Sequence, residues 1–151
     1  MDLLQVPNPI LREISKPVNQ VDSFIRGLAQ ELLYQLENLH CVGIAAIQIG
    51  ERVRMIAVKR GIESIIIINP VVFRSSDKLY PNVEGCMSIN YGQDHYRVKR
   101  HKLVKVNGLD LNESSVAYKG RDIFGAVLQH EIDHLDGRMI NQNGELAGRS
   151  V

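Results

Sequence analysis

The segment His130-Glu131-Ile132-Asp133-His134 has the residue types and spacing best suited to chemistry. On a helix, residues four apart project from the same face, so the two imidazoles can bind a single metal ion. Glu131 lies about 100° round the helix, where its carboxylate can reach a water at an open coordination position without binding the metal itself. The pattern predicts a catalytic metal site. The alternative is two hydrogen-bonded core histidines with Glu131 paired to a distant Arg.

The residues around this segment predict a helix from Asp122 to Leu135. Asp122 is expected to act as its N-cap, and Gly137 to occupy the C′ position. Apolar side chains cover a wide arc of this helix, as expected of an element inside a domain. They are Ile123, Phe124, Val127, Leu128 and Leu135. A carboxylate among such side chains has its charged form disfavoured, which suits a group that accepts a proton and returns it.

A third metal ligand is expected, because catalytic zinc-type sites usually take three protein ligands. No His or Cys follows His134, and Glu145, the only later Glu, lies too close to serve. The third ligand must therefore come from upstream. The candidates are Cys41, Cys86, His40, His95 and His101. Spacing alone does not choose among them, although His95 and His101 are interpreted as surface residues.

Three segments resemble the three signature motifs of the peptide deformylase family, in the family's order. They are Cys41-Val42-Gly43-Ile44-Ala45-Ala46-Ile47-Gln48, Glu84-Gly85-Cys86-Met87-Ser88 and Gln129-His130-Glu131-Ile132-Asp133-His134. Pro9-Ile10-Leu11-Arg12, followed by Lys16-Pro17-Val18, is similar to the family's N-terminal segment. The resemblance covers the chain from Pro7 to Gly137.

The resemblance implies a hydrolase that removes the N-formyl group from the N-terminal methionine of nascent polypeptides and releases formate. The implied ligands of one divalent metal ion are Cys86, His130 and His134. Iron(II) is the expected native ion, with zinc, nickel or cobalt as alternatives that a thiolate ligand also suits. Glu131 is implied to be the general base and acid. Gln48 and the backbone N–H of Met87 are implied to stabilise the oxyanion.

The substrate cleft has two predicted sources of contacts. The resemblance implies that the main chain near Gly43 and Ile44, together with Gly85, lines it. Helix geometry places Ile123, Ala126 and Val127 one and two turns before His130, where they could form an apolar wall for the methionine side chain. These three positions form a hypothesis from geometry, independent of the resemblance.

The chain departs from the family pattern at five positions. Cys41 replaces Gly, Ile44 replaces Leu, Ile47 replaces Pro, Met87 replaces Leu and Asn90 replaces Pro. A side chain at Cys41 is expected to narrow or reshape the cleft, because Gly is used where the main chain approaches a ligand. Two alternatives to deformylation therefore stay open: an endopeptidase with the same metal helix, and a non-catalytic deformylase-like binding protein.

Composition is typical of one globular domain covering residues 1–151, with 44% hydrophobic and 23% charged residues. A net charge of +1 gives no reason to expect specific nucleic-acid binding or an anionic membrane partner. No signal-like or membrane-spanning segment is found, so a cytoplasmic location is expected. Two cysteines could form one disulfide, an alternative disfavoured in the absence of a secretory signal.

Apolar periodicity predicts an amphipathic N-terminal helix from Asp22 to His40. The predicted strands are Arg54–Lys59, Ile62–Asn69, Val71–Arg74, Arg97–Asn107 and Ser115–Lys119, with a turn at Gly108–Glu113. Too few helices are found for parallel crossovers. We therefore expect an α+β domain with mainly antiparallel sheets around the metal-bearing helix.

Two further segments bear on partners. One segment is basic, with Arg97, Lys99, Arg100, Lys102 and Lys105. These residues are interpreted as solvated side chains that protect a sheet edge, and the alternative is that they bind substrate or ribosomal RNA. The residues after Gly137 are too few and too rich in turn formers for a stable helix. The resemblance therefore does not extend to ribosome docking through a C-terminal helix, although transient ribosome contact stays open.

Overall fold

The N-terminal helix forms where the apolar periodicity predicts it. In the computed structural model, which describes residues 1–150, α1 spans Ser23–Asn38. Asp22 caps it by accepting a hydrogen bond from the Ile25 N–H at 2.9 Å. The buried apolar side chains repeat at helical spacing and pack against the larger sheet. They are Ile25, Leu28, Ala29, Leu32 and Leu36. The predicted helix is confirmed, ending at Asn38 rather than at His40.

The strands within residues 1–150 form two antiparallel sheets. They are β1 (Gly43–Ala45), β2 (Met55–Arg60), β3 (Glu63–Ser75), β4 (Leu79–Gly85), β5 (Asp94–His101), β6 (Leu103–Leu109), β7 (Ser115–Arg121) and β8 (Glu145–Arg149). The larger sheet has the order β1-β2-β3-β6-β7, and the smaller has the order β4-β5-β8. The predicted α+β class with mainly antiparallel sheets is confirmed.

Several strand boundaries differ from the prediction. Ile62–Asn69 and Val71–Arg74 join into the single strand β3, which carries register shifts where it passes Asn69 and Pro70. Arg97–Asn107 instead divides at Lys102 into β5 and β6, which belong to different sheets. The short β1 and the edge strands β4 and β8 are absent from the prediction. Pro81 lies within β4, and an edge strand tolerates this because only one side needs hydrogen bonds.

The helix predicted to carry two metal ligands, α2 (Asp122–Leu135), has the predicted bounds. Its apolar side packs into the core of the larger sheet, where Leu128 and Leu135 are fully buried. A Cβ at Gly120 of β7 would lie 2.8 Å from the Cα of Gly125 on α2. Both residues are therefore glycine because strand and helix approach too closely for a side chain.

The ends of α2 agree with the prediction at one end only. Asp122 is not the N-cap: that position belongs to Arg121, whose side chain makes no capping bond. The prediction is wrong because Asp122 has a φ of 52° and its carboxylate lies 3.9 Å from Lys102 Nζ instead of turning back to the helix. At the other end, Gly137 has a φ of 71° and donates its N–H to His134 O at 3.1 Å. The C′ prediction is confirmed.

The C-terminal segment contains no long helix within the described residues. A four-residue helix, α3 (Ile140–Asn143), leads into β8, which pairs with β5. Between Gly137 and residue 150 the chain thus forms a short helix and a strand. None of the helices within residues 1–150 is both long and apolar enough to span a bilayer.

Candidate metal centre

Two distant segments bring one thiol and two imidazoles together. Cys86 directly follows β4, and His130 and His134 lie one turn apart on α2. One donor atom from each side chain lies within 4.8 Å of the other two, and Cys86 Sγ is 3.3 Å from His134 Nε2. All three side chains are buried. A thiolate with two imidazoles suits a soft or borderline divalent ion, so this donor set fits the expected metal.

Glu84 fixes the orientation of His130. Its Oε1 lies 2.8 Å from His130 Nδ1, which leaves His130 Nε2 available to a ligand. Arg100 donates to both carboxylate oxygens of Glu84 at 2.8 Å and to Asp133 Oδ2 at 2.6 Å. Burial opposes ionisation of Glu84, but its hydrogen bonds with Arg100 and His130 lower its pKa to about 2. Glu84 therefore stays negatively charged behind the imidazole.

Glu131 lies against the main chain of β1. A Cβ at Gly43 would be 2.5 Å from Glu131 Oε1, so the glycine makes room for the carboxylate. Burial raises the pKa of Glu131 to about 7. Its Oε2 is buried and has no hydrogen-bond partner among residues 1–150. A carboxyl group with a raised pKa and an unpaired oxygen is suited to accepting and returning a proton.

Two hydrogen-bond donors lie beside the thiol. Gln48 Oε1 accepts from the Ala45 N–H at 2.9 Å, and its Nε2 donates to Ser88 Oγ at 3.1 Å and lies 3.7 Å from Cys86 Sγ. These contacts hold the amide group of Gln48 toward the donor cluster. The backbone N–H of Met87 makes no hydrogen bond within residues 1–150, so it is available to a ligand.

A cleft of about 460 Å³ opens beside these groups. It is lined by most of the positions predicted to contact substrate. They are Gly43, Gly85, Ile123, Ala126 and Val127. Ile44 does not line the cleft: its side chain is 1% exposed and packs in the core against α1. Any contact of Ile44 with substrate would therefore involve its main chain.

A larger cavity of about 830 Å³ lies on the other side of α2 and is lined by Ile132 and Asp133. It contains none of the three donors and neither Glu131 nor Gln48. The smaller cleft is therefore the candidate site, since chemistry requires the donor cluster.

Cys41 is the second cysteine that lines this cleft. Both Cys41 and Cys86 are free thiols. The alternative of a disulfide between them is therefore wrong. Burial, reinforced by the charge of Glu131, raises the pKa of Cys41 to about 11. The close approach to Glu131 is made at Gly43, where the glycine is retained. Cys41 thus adds a neutral side chain to the cleft wall without displacing the Glu131 carboxylate.

The remaining upstream candidates lie outside the donor cluster. His40 lines the cleft. His101 Nδ1 is 2.6 Å from Ser76 O, and His95 lies on β5 with its side chain partly exposed.

The sequence did not predict the residues that position the site through hydrogen bonds to its members. Glu84 belongs to the second motif, two residues before Cys86, but no role was predicted for it. Arg100 was interpreted as solvated. That interpretation is wrong, since it is 4% exposed and paired with Glu84 and Asp133. Nothing local identifies Gln5, whose Nε2 donates to Met87 O at 2.7 Å.

Known proteins with similar sequences are peptide deformylases. The family model described as polypeptide deformylase matches residues 1–146. The peptide deformylase of Bartonella henselae is 41% identical over 142 residues, covering 91% of this chain and 80% of the relative. That of Brucella suis is 37% identical over 141 residues, covering 89% and 79%.

Solved structures of the same family have the same fold. A peptide deformylase from Synechococcus elongatus in complex with actinonin superposes with a TM-score of 0.90 at 27% identity, covering 95% of this chain and 78% of the other. The enzyme of the Vibrio parahaemolyticus bacteriophage VP16T, also in complex with actinonin, gives 0.85 at 28% identity, with coverage of 93% and 100%. The family match, the fold and the cluster of one thiol and two imidazoles agree, and this chain belongs to the polypeptide deformylase family.

Proposed function

We propose that this protein hydrolyses the formamide bond at the N-terminus of N-formyl-methionyl polypeptides, releasing formate and a free amino terminus. Cys86, His130 and His134 hold one divalent metal ion in this proposal. The observation that carries it is the convergence of these donors beside Glu131, at a cleft of about 460 Å³ that is lined by Cys86, His130 and Glu131. Iron(II) is the proposed native ion, with zinc, nickel or cobalt as substitutes, because thiolate and imidazole donors suit all of them.

The proposed role of each group follows from its position among the metal ligands. A divalent cation held by Cys86, His130 and His134 would supply Lewis acidity, which would polarise a carbonyl oxygen. Glu84 holds His130 through Nδ1, so that its Nε2 faces the cluster. Arg100 in turn fixes both oxygens of Glu84.

Glu131 carries the proton. Its raised pKa, about 7, lets it accept a proton from the water that attacks the formyl carbon and then return that proton to the leaving nitrogen. The C–N bond of the formamide breaks, and the products are formate and the amine. In this proposal, Gln48 Nε2 and the Met87 N–H donate to the formyl oxygen as negative charge develops there.

The methionine side chain is proposed to lie against Ile123, Ala126 and Val127, which line the cleft. The main chain at Gly43 and Ile44, with Gly85, is proposed to bind the peptide backbone. Because the substrates are nascent chains, we place the reaction in the cytoplasm, with transient contact to the ribosome.

The test compares formate release from formyl-Met-Ala-Ser by the anaerobically purified, iron-loaded protein and by its Glu131→Gln variant. Glutamine keeps the shape of the side chain but cannot carry the proton. We expect kcat to fall by about 10²-fold or more, with the bound metal retained. Equal rates in the two proteins would remove the proposal.

The same preparations separate the alternatives. Cleavage of casein without formate release would indicate an endopeptidase. Stoichiometric metal binding without either activity would indicate a binding protein.

A further inference from the structure

Half of the larger sheet is open to solvent on the side that carries α1. This helix packs on β1, β2 and the first part of β3, through residues such as Ile66 and Ile68. Further along, the same side of the sheet is exposed: Val71 is 57% exposed, and its partner Asn107 is exposed too. The other side of this half is covered by α2.

Four basic side chains lie on this open side. Arg74 pairs with Lys105, and Lys105 pairs with Lys119, so the three form one row across β3, β6 and β7, because paired residues share a face. Arg121 is two residues beyond Lys119 on β7 and projects to the same side. Val106, the neighbour of Lys105, is buried on the α2 side, which confirms the direction of the row. We call Arg74, Lys105, Lys119 and Arg121 the basic face.

The charge of the basic face is not neutralised within residues 1–150. None of its four cations forms an ion pair there, although six other arginines of the chain do. Asp122, which adjoins Arg121, lies 3.9 Å from Lys102 instead. Like charges directly opposite one another destabilise a sheet. A row of three cations in a chain with a net charge of only +1 therefore indicates an external anionic partner.

An aromatic residue adjoins this row. Phe73 is 51% exposed and lies at the register shift between Val72 and Arg74. Cations that follow a phosphate backbone, with an aromatic ring on which a base can stack, are the two components of sequence-tolerant RNA binding.

We propose that the basic face binds RNA through its phosphate backbone, with a base stacked on Phe73. No residue of the basic face lines the cleft. Arg121 ends β7, which leads directly into α2, the helix that carries the cleft residue Ile123. On the proposed function, whose substrates are nascent chains, RNA binding on this face would hold the enzyme near its substrate. The RNA contact itself does not depend on formyl hydrolysis.

The experiment measures fluorescence anisotropy of a labelled single-stranded RNA of about 20 nucleotides with metal-loaded, full-length protein. The test variant is Lys105→Glu/Lys119→Glu. The control, Lys16→Glu/Arg26→Glu, changes net charge equally at two exposed residues outside the basic face. We expect the test variant to bind at least about tenfold more weakly and to lose about 1.4 from the slope of log K against log salt, since each phosphate contact contributes about 0.7. The control should bind like the wild type.

A separate variant tests the stacking contact. Phe73→Ala should lower RNA affinity about tenfold with an unchanged salt slope, because no charge is removed. Formate release from a short formyl peptide should stay at the wild-type rate in all these variants.

Equal RNA affinity in the test variant and the wild type would overturn the proposal. So would an equal loss in the control, which would mean attraction to net charge alone. Tighter binding to phosphatidylserine vesicles than to RNA would assign the face to a membrane instead. If the test variant also loses formate release, the milder variant Lys105→Gln/Lys119→Gln replaces it. Its slope of log K against log salt should fall by the same amount, and an unchanged slope would overturn the proposal.

Discussion

Gly43 determines how closely β1 can approach Glu131, the proposed proton carrier. A methyl group at Gly43 would lie 2.5 Å from Glu131 Oε1 and 2.9 Å from its Cδ, so the carboxylate has to move. Displacement of a catalytic group by about 1 Å costs about 10²-fold in rate. We therefore expect Gly43→Ala to lower kcat for formate release by about 10²-fold, measured at saturating formyl-Met-Ala-Ser.

The matched control for Gly43→Ala is Gly27→Ala. A Cβ at Gly27 meets nothing within 4 Å, and this glycine lies inside α1, where alanine stabilises by about 0.5–1 kcal/mol. The control should keep its rate and gain stability. A wild-type kcat in the Gly43→Ala variant would show that the close approach of Gly43 to Glu131 does not affect catalysis.

Cys41 is expected to be an unreactive thiol despite lying in the cleft. Burial and the nearby Glu131 charge raise its pKa to about 11, so the neutral thiol dominates below that pH and the reactive thiolate is scarce. In a Cys86→Ser background, alkylation by iodoacetamide should be slow near about pH 8 and accelerate about tenfold per pH unit toward about 11. A rate that reaches its plateau by about pH 9 would contradict this pKa.

At the scale of elements, Arg100 joins β5 to α2. It is buried and paired with Glu84 on β4 and Asp133 on α2. Removing one partner of a buried ion pair costs about 3–5 kcal/mol, because the other charges stay buried without compensation. Arg100→Met should therefore lower the free energy of unfolding by about that amount, measured by urea denaturation at neutral pH.

Arg97→Met, on the same strand, is the control for Arg100→Met. Arg97 is exposed, so its replacement should change stability by no more than about 0.5 kcal/mol. Similar losses in the two variants would mean that the buried ion-pair network contributes nothing specific.

The two long helices could be predicted from sequence because their signals are local. Apolar residues repeat at helical spacing along α1, and α2 has a glycine at C′. The strands were predicted less well. β4 contains Pro81 and has polar residues, Asn82 and Glu84, on its covered side, whereas β8 is exposed along its whole length, so no alternation of apolar residues reveals either strand.

Some residues of the candidate site likewise have a local sequence signal, whereas others are brought to the site only by tertiary contacts. His130, Glu131 and His134 share one turn of helix, so their spacing alone indicated chemistry. The choice of Cys86 required the resemblance to a family, since spacing left five candidates. The pairing of Arg100 with Asp133 spans 33 residues of sequence, and a tertiary contact of that kind leaves no local pattern.

At the scale of the whole molecule, the site exists only when both sheets are assembled. Gln48 follows β1 of the larger sheet, Cys86 follows β4 of the smaller sheet, and the histidines lie on the helix α2, which contacts strands of both. No single element holds two of these three parts. Metal binding therefore reports on the packing of the complete fold.

The most direct test is X-ray absorption spectroscopy of the zinc-loaded protein, compared with its Cys86→Ser and Cys41→Ser variants. We predict one sulfur ligand at about 2.3 Å and two imidazole nitrogens at about 2.0–2.1 Å. The sulfur signal should disappear in Cys86→Ser and persist in Cys41→Ser. A spectrum without sulfur, or one that loses its sulfur only in Cys41→Ser, would contradict the metal centre described here.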